Sequence, residues 1–276
     1  MKAAHSTQCG ALSQRAAGRR RLVMSVIAAA CCCAGPGAWA HVDTPLAAAA
    51  PPVSHTAVHT SVHTAVPTAS LAPVAARYQV TISRRDPSSK QMRSIGETWY
   101  FQRGPQRITL IRGDIEEHWT RDERGTLRFE RVFHADQRVV DYTAGELATL
   151  GIDVSWDALA TFIDARELTL LKPAGGMRAP QRFSRKAAGR SVDVEWSAKA
   201  GLPARLTRVS TSGRAQFELM ESHARAPATW PVAGLRSADY LHVDSADFGD
   251  MEYDAFVRKA ETFDVLAGWR KPHGHD

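Results

Sequence analysis

Tyr78, Val80 and Ile82 alternate with Gln79, Thr81 and Ser83. That period of two marks a strand with one buried face. The same alternation returns along the chain. Glu97–Gln102 (ETWYFQ), Arg107–Ile111 and Ile115–Thr120 read as strands, separated by turns at Gly104-Pro105 and Gly113-Asp114. In Thr126–His134, Leu127, Phe129 and Phe133 alternate with Arg128, Glu130 and Val132 after a turn at Glu123-Arg124-Gly125. Strands follow near Leu168–Leu171 and Arg182–Arg185, then at Val192/Val194/Trp196, Arg205–Val209 and Ala215–Met220. Short strands at about ten-residue spacing predict antiparallel hairpins in a sheet or barrel.

Three stretches break this period. Thr143–Leu150 offers Thr143 as a cap with Glu146 three residues on, and stops at Gly151, the signature of a capping box. Ser155 opens a second short helix over 155–163. In Met251–Ala267, residues Phe256, Val257, Ala260, Phe263 and Leu266 keep helical spacing, and Gly268 ends the run. The acids before it, Asp244 to Asp254, suit a helix N-terminus. The predicted class is mainly β with α (α+β): one domain over 77–268 with inserted helices at 143–150 and 155–163 and a C-terminal helix at 251–267. A His-containing tail over 269–276 follows.

The first 76 residues differ in composition. Arg19, Arg20 and Arg21 precede the apolar run Leu22–Ala30, and Ala38-Trp39-Ala40 follows. Basic, apolar, then A-x-A is the order of an export signal cut after Ala40. Ala28-Ala29-Ala30-Cys31 offers the alternative of a lipoprotein acylated at Cys31. The twin-arginine and general export routes both remain open. Residues 41–76 are rich in Ala, Pro, Thr and Val, with one charged residue, Asp43, and no aromatic. Such a stretch reads as an extended, disordered linker.

The leader also changes the charge. It holds five of the 35 Lys and Arg and none of the 29 acids, so the remainder is near neutral. A basic total that resides in a leader does not argue for nucleic acid. All four cysteines, Cys9, Cys31, Cys32 and Cys33, lie in the leader too, so stability must come from a core. A periplasmic location with no disulfide is the expectation.

Catalytic motifs are absent: no Gly-rich phosphate loop, no G-x-S-x-G, no H-E-x-x-H, no C-x-x-C. Asp247-Phe248-Gly249 lacks the other parts of a kinase site. An enzyme is therefore not expected. A hydrolase built on His118 or His134, with Asp141 or Glu146 as partner, ranks last. Histidines mark the chain ends instead. His41, His55, His59 and His63 fall in the linker and His273 and His275 in the tail. Imidazoles in flexible tracts suit Cu or Zn, so metal handling is the alternative function; no other cofactor is implied.

One further pattern joins these strands. The stretch Glu97-Thr-Trp-Tyr-Phe-Gln-Arg-Gly-Pro-Gln-Arg-Ile108 carries a bulky apolar pair and a Pro-x-Arg edge, Pro105-Gln106-Arg107. Glu117-His-Trp119 and Val194-Glu-Trp196 follow, then a Leu-Pro turn in Gly201-Leu-Pro-Ala-Arg-Leu206. Over residues 77–225 the arrangement resembles the periplasmic lipoprotein-carrier superfamily typified by LolA and LolB. The resemblance implies a curved, incompletely closed antiparallel barrel covered by short helices, with acyl chains bound between them. It implies a hydrophobic small molecule or acyl chain as ligand, and a membrane or lipoprotein partner. The ligand-facing residues would be Trp99, Phe101, Trp119, Phe129, Phe133 and Trp196 from the strands, with Trp156, Leu159 and Phe162 from the helix side. The same residues could equally fill a dry core. The C-terminal helix and tail depart from the family pattern.

Overall fold

The computed structural model describes residues 71–86, 89, 91–164, 167, 171–173, 181–211, 213–231 and 237–270. An N-terminal meander comprises β1 (Val74–Arg85), β2 (Met92–Arg103), β3 (Arg107–Arg112), β4 (Ile115–Arg121), β5 (Leu127–Phe133) and β6 (Arg138–Tyr142). Two short helices follow, α1 (Ala144–Thr149) and α2 (Trp156–Thr161). A second meander comprises β7 (Lys172–Pro173), β8 (Gln181–Ala187), β9 (Arg190–Ser197), β10 (Leu202–Ser210) and β11 (Gly213–His223). Then come β12 (Leu241–Asp244) and α3 (Ala255–Ala267).

All twelve strands lie in one sheet, ordered β12-β6-β5-β4-β3-β2-β1-β11-β10-β9-β8-β7. The second meander returns to β1, which pairs antiparallel with both β2 and β11. The edges β12 and β7 do not pair, so the barrel is incompletely closed. Every pairing is antiparallel but one. β12 runs parallel to β6, with Val243 opposite Val140.

Period-two patterning sets the faces. Trp99, Phe101, Leu110, Phe129, Tyr142, Tyr78, Phe217 and Leu206 point to the helix-bearing face, and all are buried in one cluster. β11 lies so close to β1 that a Cβ on Gly213 would meet the Ser83 carbonyl oxygen at 2.2 Å; only glycine fits. The β8–β9 hairpin turns through Ala188 (φ 24°) and Gly189 (φ 75°). Two successive positive φ values match the right-handed strand twist.

The caps form as their sequences dictate. Thr143 accepts from the Glu146 amide while the Glu146 carboxylate accepts from the Thr143 amide. Ser155 accepts from the Ala158 amide at 3.1 Å. Such caps contribute about 1 kcal/mol each. α3 starts four residues later than its apolar spacing predicts. Asp254 stops it there by accepting from the Phe256 amide at 2.7 Å, and residues 251–253 form a turn. Asp247-Phe248-Gly249 lies in a 3-10 turn with Phe248 buried, a packing role.

Both limits of the predicted domain move outward. Val74, Ala75 and Ala76, read as linker, are buried strand residues. Trp269, read as tail, is buried against Trp119, Phe129 and Tyr142, with ring centroids 6.3, 5.0 and 5.6 Å away.

Candidate functional site

The helix-bearing face divides into two halves. Over β3–β6, α3 lies on the sheet. Phe133 meets Phe256 and Phe263 edge-on at 5.2 and 5.4 Å. Trp119 and Phe129 stack at 4.6 Å beneath Trp269. Among these rings runs a buried ionic chain. Glu117 accepts from Arg112 at 2.8 Å and from Arg131 at 3.1 Å. Arg131 also donates to Asp264 of α3 at 2.8 Å. Tyr142 donates to the same Asp264 oxygen at 2.9 Å, and Arg270 to the other oxygen at 3.2 Å. The Arg131 guanidinium lies 4.9 Å from the Trp269 ring centroid. Burial alone would lower the Arg131 pKa, but Tyr142, Glu117 and Asp264 more than offset it and raise it. Burial pushes the Tyr142 hydroxyl well up. Arg131 therefore stays charged and Tyr142 stays a neutral donor, and Asp264 is tied down by three side chains. This half is sealed.

Over β1, β2 and β8–β11, α2 is the cover. Phe162, which follows α2 with φ 61°, packs on Tyr78, Phe101 and Phe217 at 5.2, 4.7 and 5.9 Å. Two arginines hold it. Arg103 is buried and donates to the carbonyls of Ala160, Gly201, Ala200 and Ala72 at 2.7–3.3 Å. Arg208 donates to the Phe162 carbonyl at 3.0 Å and makes a two-pronged ion pair with Glu167 at 2.7 and 2.9 Å.

Among the described residues the cover thins beyond α2. The register places Val80, Phe217, Leu206 and Val194 in one row across four strands, and all four are buried. The next row on the same face, towards the hairpin ends, is Ile95, Ile82, Ala215, Arg208, Val192 and Arg185. In it Ile95 is 42% exposed, and Ala215 and Val192 are half-buried, as is Phe183 beside Val194. Among the described residues this apolar face thus runs from a closed core to a less covered row beside the Arg208–Glu167 pair.

The residues expected to face a ligand all meet in this one cluster. Trp99, Phe101, Leu159, Phe162 and Trp196 belong to the α2 half. Trp119, Phe129 and Phe133 belong to the α3 half. All eight are buried. Trp156 is half-buried, with the Arg121 guanidinium 4.5 Å from its ring. Ile82, Ile95, Phe183 and Val192 were not among the residues expected to face a ligand. Their alternation was legible, but nothing local told a covered row from an uncovered one.

The strand histidines lie on the opposite face. His118 Nδ1 is 3.0 Å from the Thr109 hydroxyl, and its Nε2 is 3.3 Å from Glu116. His134 Nε2 is 3.4 Å from the same carboxylate, and its Nδ1 is 3.1 Å from the Tyr240 hydroxyl. His118 is 1% exposed, whereas the His134 side chain is 28% exposed. Asp141 pairs instead with His242 at 2.7 Å, and Glu146 bonds Ser245 at 2.7 Å. The candidate metal residues His41, His55, His59, His63, His273 and His275 lie outside the described residues. Among the described residues no group of three or more His, Cys, Asp or Glu could hold a metal ion, and no helix is long and apolar enough to cross a membrane.

No protein-family model and no curated protein matches the chain. A solved structure of PNGF-II, in the P21 space group, aligns at 10% identity with a TM-score of 0.34, covering 66% of this chain and 33% of that one. The chain therefore spans about a third of the length of that protein, and a likeness of this degree carries no argument about fold or function.

Proposed function

We propose that this protein binds an acyl chain or a similar hydrophobic ligand, as a LolA/LolB-like carrier does. The observation that carries the reading is the burial gradient across β1, β2 and β8–β11. A buried apolar row gives way on the same face to a row whose Ile95, Ala215 and Val192 remain accessible. A mostly apolar recess with a few fixed polar groups is the usual form of a small-molecule site; here Arg208 and Glu167 would be those groups. The seal under α3 confines the ligand to the α2 half. The leader adds export, with cleavage after Ala40. Intact mass of the protein isolated from its own cells should show a chain starting at His41, and a diacylated Cys31 would place it on a membrane instead.

A fluorescent fatty acid tests the binding itself. The wild type should bind it and transfer energy from Trp99 or Trp196. Ile95→Asp and Val192→Asp should each weaken binding about tenfold or more, since a desolvated carboxylate in an apolar contact costs well over 1.4 kcal/mol. Absence of binding by the folded wild type would remove the reading.

A further inference from the structure

The hairpin end of that same open half carries a second feature. Register pairing puts Arg85 opposite Met92, and Arg214 opposite Val209. Val209 lies opposite Ser191, and Ser191 opposite Lys186. Arg214 also lies opposite Ser83, two residues before Arg85, so these residues line the rim at the hairpin end of β1, β2 and β8–β11 on the face away from the helices, while Ile95, Arg93, Arg185 and Arg190 line the same end on the helix-bearing face. Met92 is 51% and Val209 37% exposed, and with Ile95 they make up three of the six large hydrophobic residues exposed among the described residues. Around them Arg85, Arg93, Arg185, Lys186, Arg190 and Arg214 are all exposed. Acids are few here. Asp86 is ion-paired with Arg93 at 3.1 Å and Glu167 with Arg208, which leaves Asp193 as the exposed acid of this rim. A shallow recess of about 410 Å3 opens between Lys186, Arg190, Ser191 and Val209. It brings two cations and a hydroxyl beside an apolar side chain.

The other edge of the sheet, at β12, has the reverse sign. Asp244, Asp247, Asp250 and Glu252, around β12 and the approach to α3, are all exposed. The charge is therefore directional, although the chain without its leader is close to neutral.

We infer that this rim docks on an anionic phospholipid surface. Exposed cations are drawn to lipid phosphates, and each lysine or arginine near such a surface strengthens binding severalfold. Exposed apolar side chains set among those cations enter the headgroup boundary, as the apolar face of an interfacial helix does. Protein acids would satisfy the cations but leave Met92, Ile95 and Val209 in water, so the mixture favours lipid over an acidic protein. Docking here sets the less covered row beside the membrane. The inference stands apart from ligand binding, because a docked rim needs no bound ligand.

Flotation of the full chain with vesicles tests it. The chain should float with an equal mixture of phosphatidylcholine and phosphatidylglycerol, stay behind with phosphatidylcholine alone, and lose binding as salt is raised. Reversing Arg85, Arg185, Lys186 and Arg214 to Glu should weaken binding by more than about tenfold. Met92→Ser, Ile95→Ser and Val209→Ser together should weaken it severalfold. A control reverses as many exposed cations at the far end of the sheet: Arg107, Arg124, Arg128 and Lys199 to Glu. It should bind at least several times more tightly than the rim variant. All variants share the same N-terminal 70 residues, so their differences read the folded region alone. Equal loss in the rim and far-end variants would reduce the effect to net charge and overturn the inference. So would undiminished binding by the rim variant, or no flotation of the wild type. The fatty-acid titration is run separately, so failure of either reading is seen by itself.

Discussion

Under α3 the sheet is closed by charges; under α2 it is closed by aromatic rings and backbone carbonyls. Asp264 reaches down from α3 to Arg131, Tyr142 and Arg270, and Trp269 follows it into the core. Beyond Phe162 the described anchor is the pair of Arg208 with Glu167, and Ile95, Val192 and Phe183 keep part of their surface accessible. The two halves arise from the same strand alternation, so the pattern of apolar residues alone does not make a cavity. What separates them is whether a later segment brings a partner for the buried polar groups. Buried charges that satisfy one another tie α3 to the sheet. Among the described residues the row from Ile95 to Val192 is the less covered part of this face.

The largest expected effect breaks the closed half. Asp264→Ala breaks the buried pair with Arg131, leaves Glu117 as that guanidinium's remaining carboxylate, and takes the acceptor from the Tyr142 hydroxyl; it should cost about 3–5 kcal/mol in a denaturant melt. Replacing both, with Asp264→Leu and Arg131→Met, should recover only part of that loss, because it removes the buried pair but leaves the Tyr142 hydroxyl without its acceptor and Glu117 with Arg112 as its remaining arginine partner. A single-variant cost below 1 kcal/mol would mean that α3 is not seated as described. Phe183→Ala in the open half should cost only about 1 kcal/mol, well short of the roughly 3–5 kcal/mol for a fully buried aromatic.

Truncation sharpens the boundary between tail and core. Deleting residues 1–70 should leave Tm within roughly 2 °C of the full chain, below the shift that 1 kcal/mol gives in a domain of this size. Deleting through residue 76 removes buried Val74, Ala75 and Ala76 and should lower Tm by about 5 °C or more. Equal melting of the two truncations would place these three residues outside the core.

The smallest effect is in acid. The Phe256 amide and the Arg138 guanidinium hold the Asp254 carboxyl below its ordinary value of 3.8. Its stabilisation of α3 is then fully present above that value and is lost as pH falls through the lowered one. Amide exchange in the first turn of α3 should quicken only in that acid range. Asp254→Asn, which keeps a cap without a charge, should flatten the dependence.

Much of this fold was legible. Alternation located most strands, and Thr143, Glu146 and Ser155 announced the two short helices. β12 was not legible: Leu241-His-Val-Asp244 is too short for a pattern and exists because β6 offers a parallel edge. β6 itself, only Arg138–Tyr142, was missed for the same reason of length. Arg131 and Asp264 are 133 residues apart, and either one alone reads as a solvated surface charge. Trp269 follows Gly268 and so looked like tail. The aromatic residues expected to face a ligand lie in the buried cluster, and what covers them, α3 over Phe133 and Phe162 over Phe101, comes from distant sequence that no local pattern reveals.

The account rests on the open half being the ligand's place, and photo-crosslinking tests that most directly. A fatty acid bearing a diazirine near its methyl end would be bound, irradiated and mapped by peptide mass spectrometry. Labels are predicted on β1, β2 and β8–β11 around Ile82, Ile95, Phe183, Val192 and Ala215. Labels at Phe133, Phe256 or Phe263 beneath α3, or no label above that of an unfolded control, would contradict it.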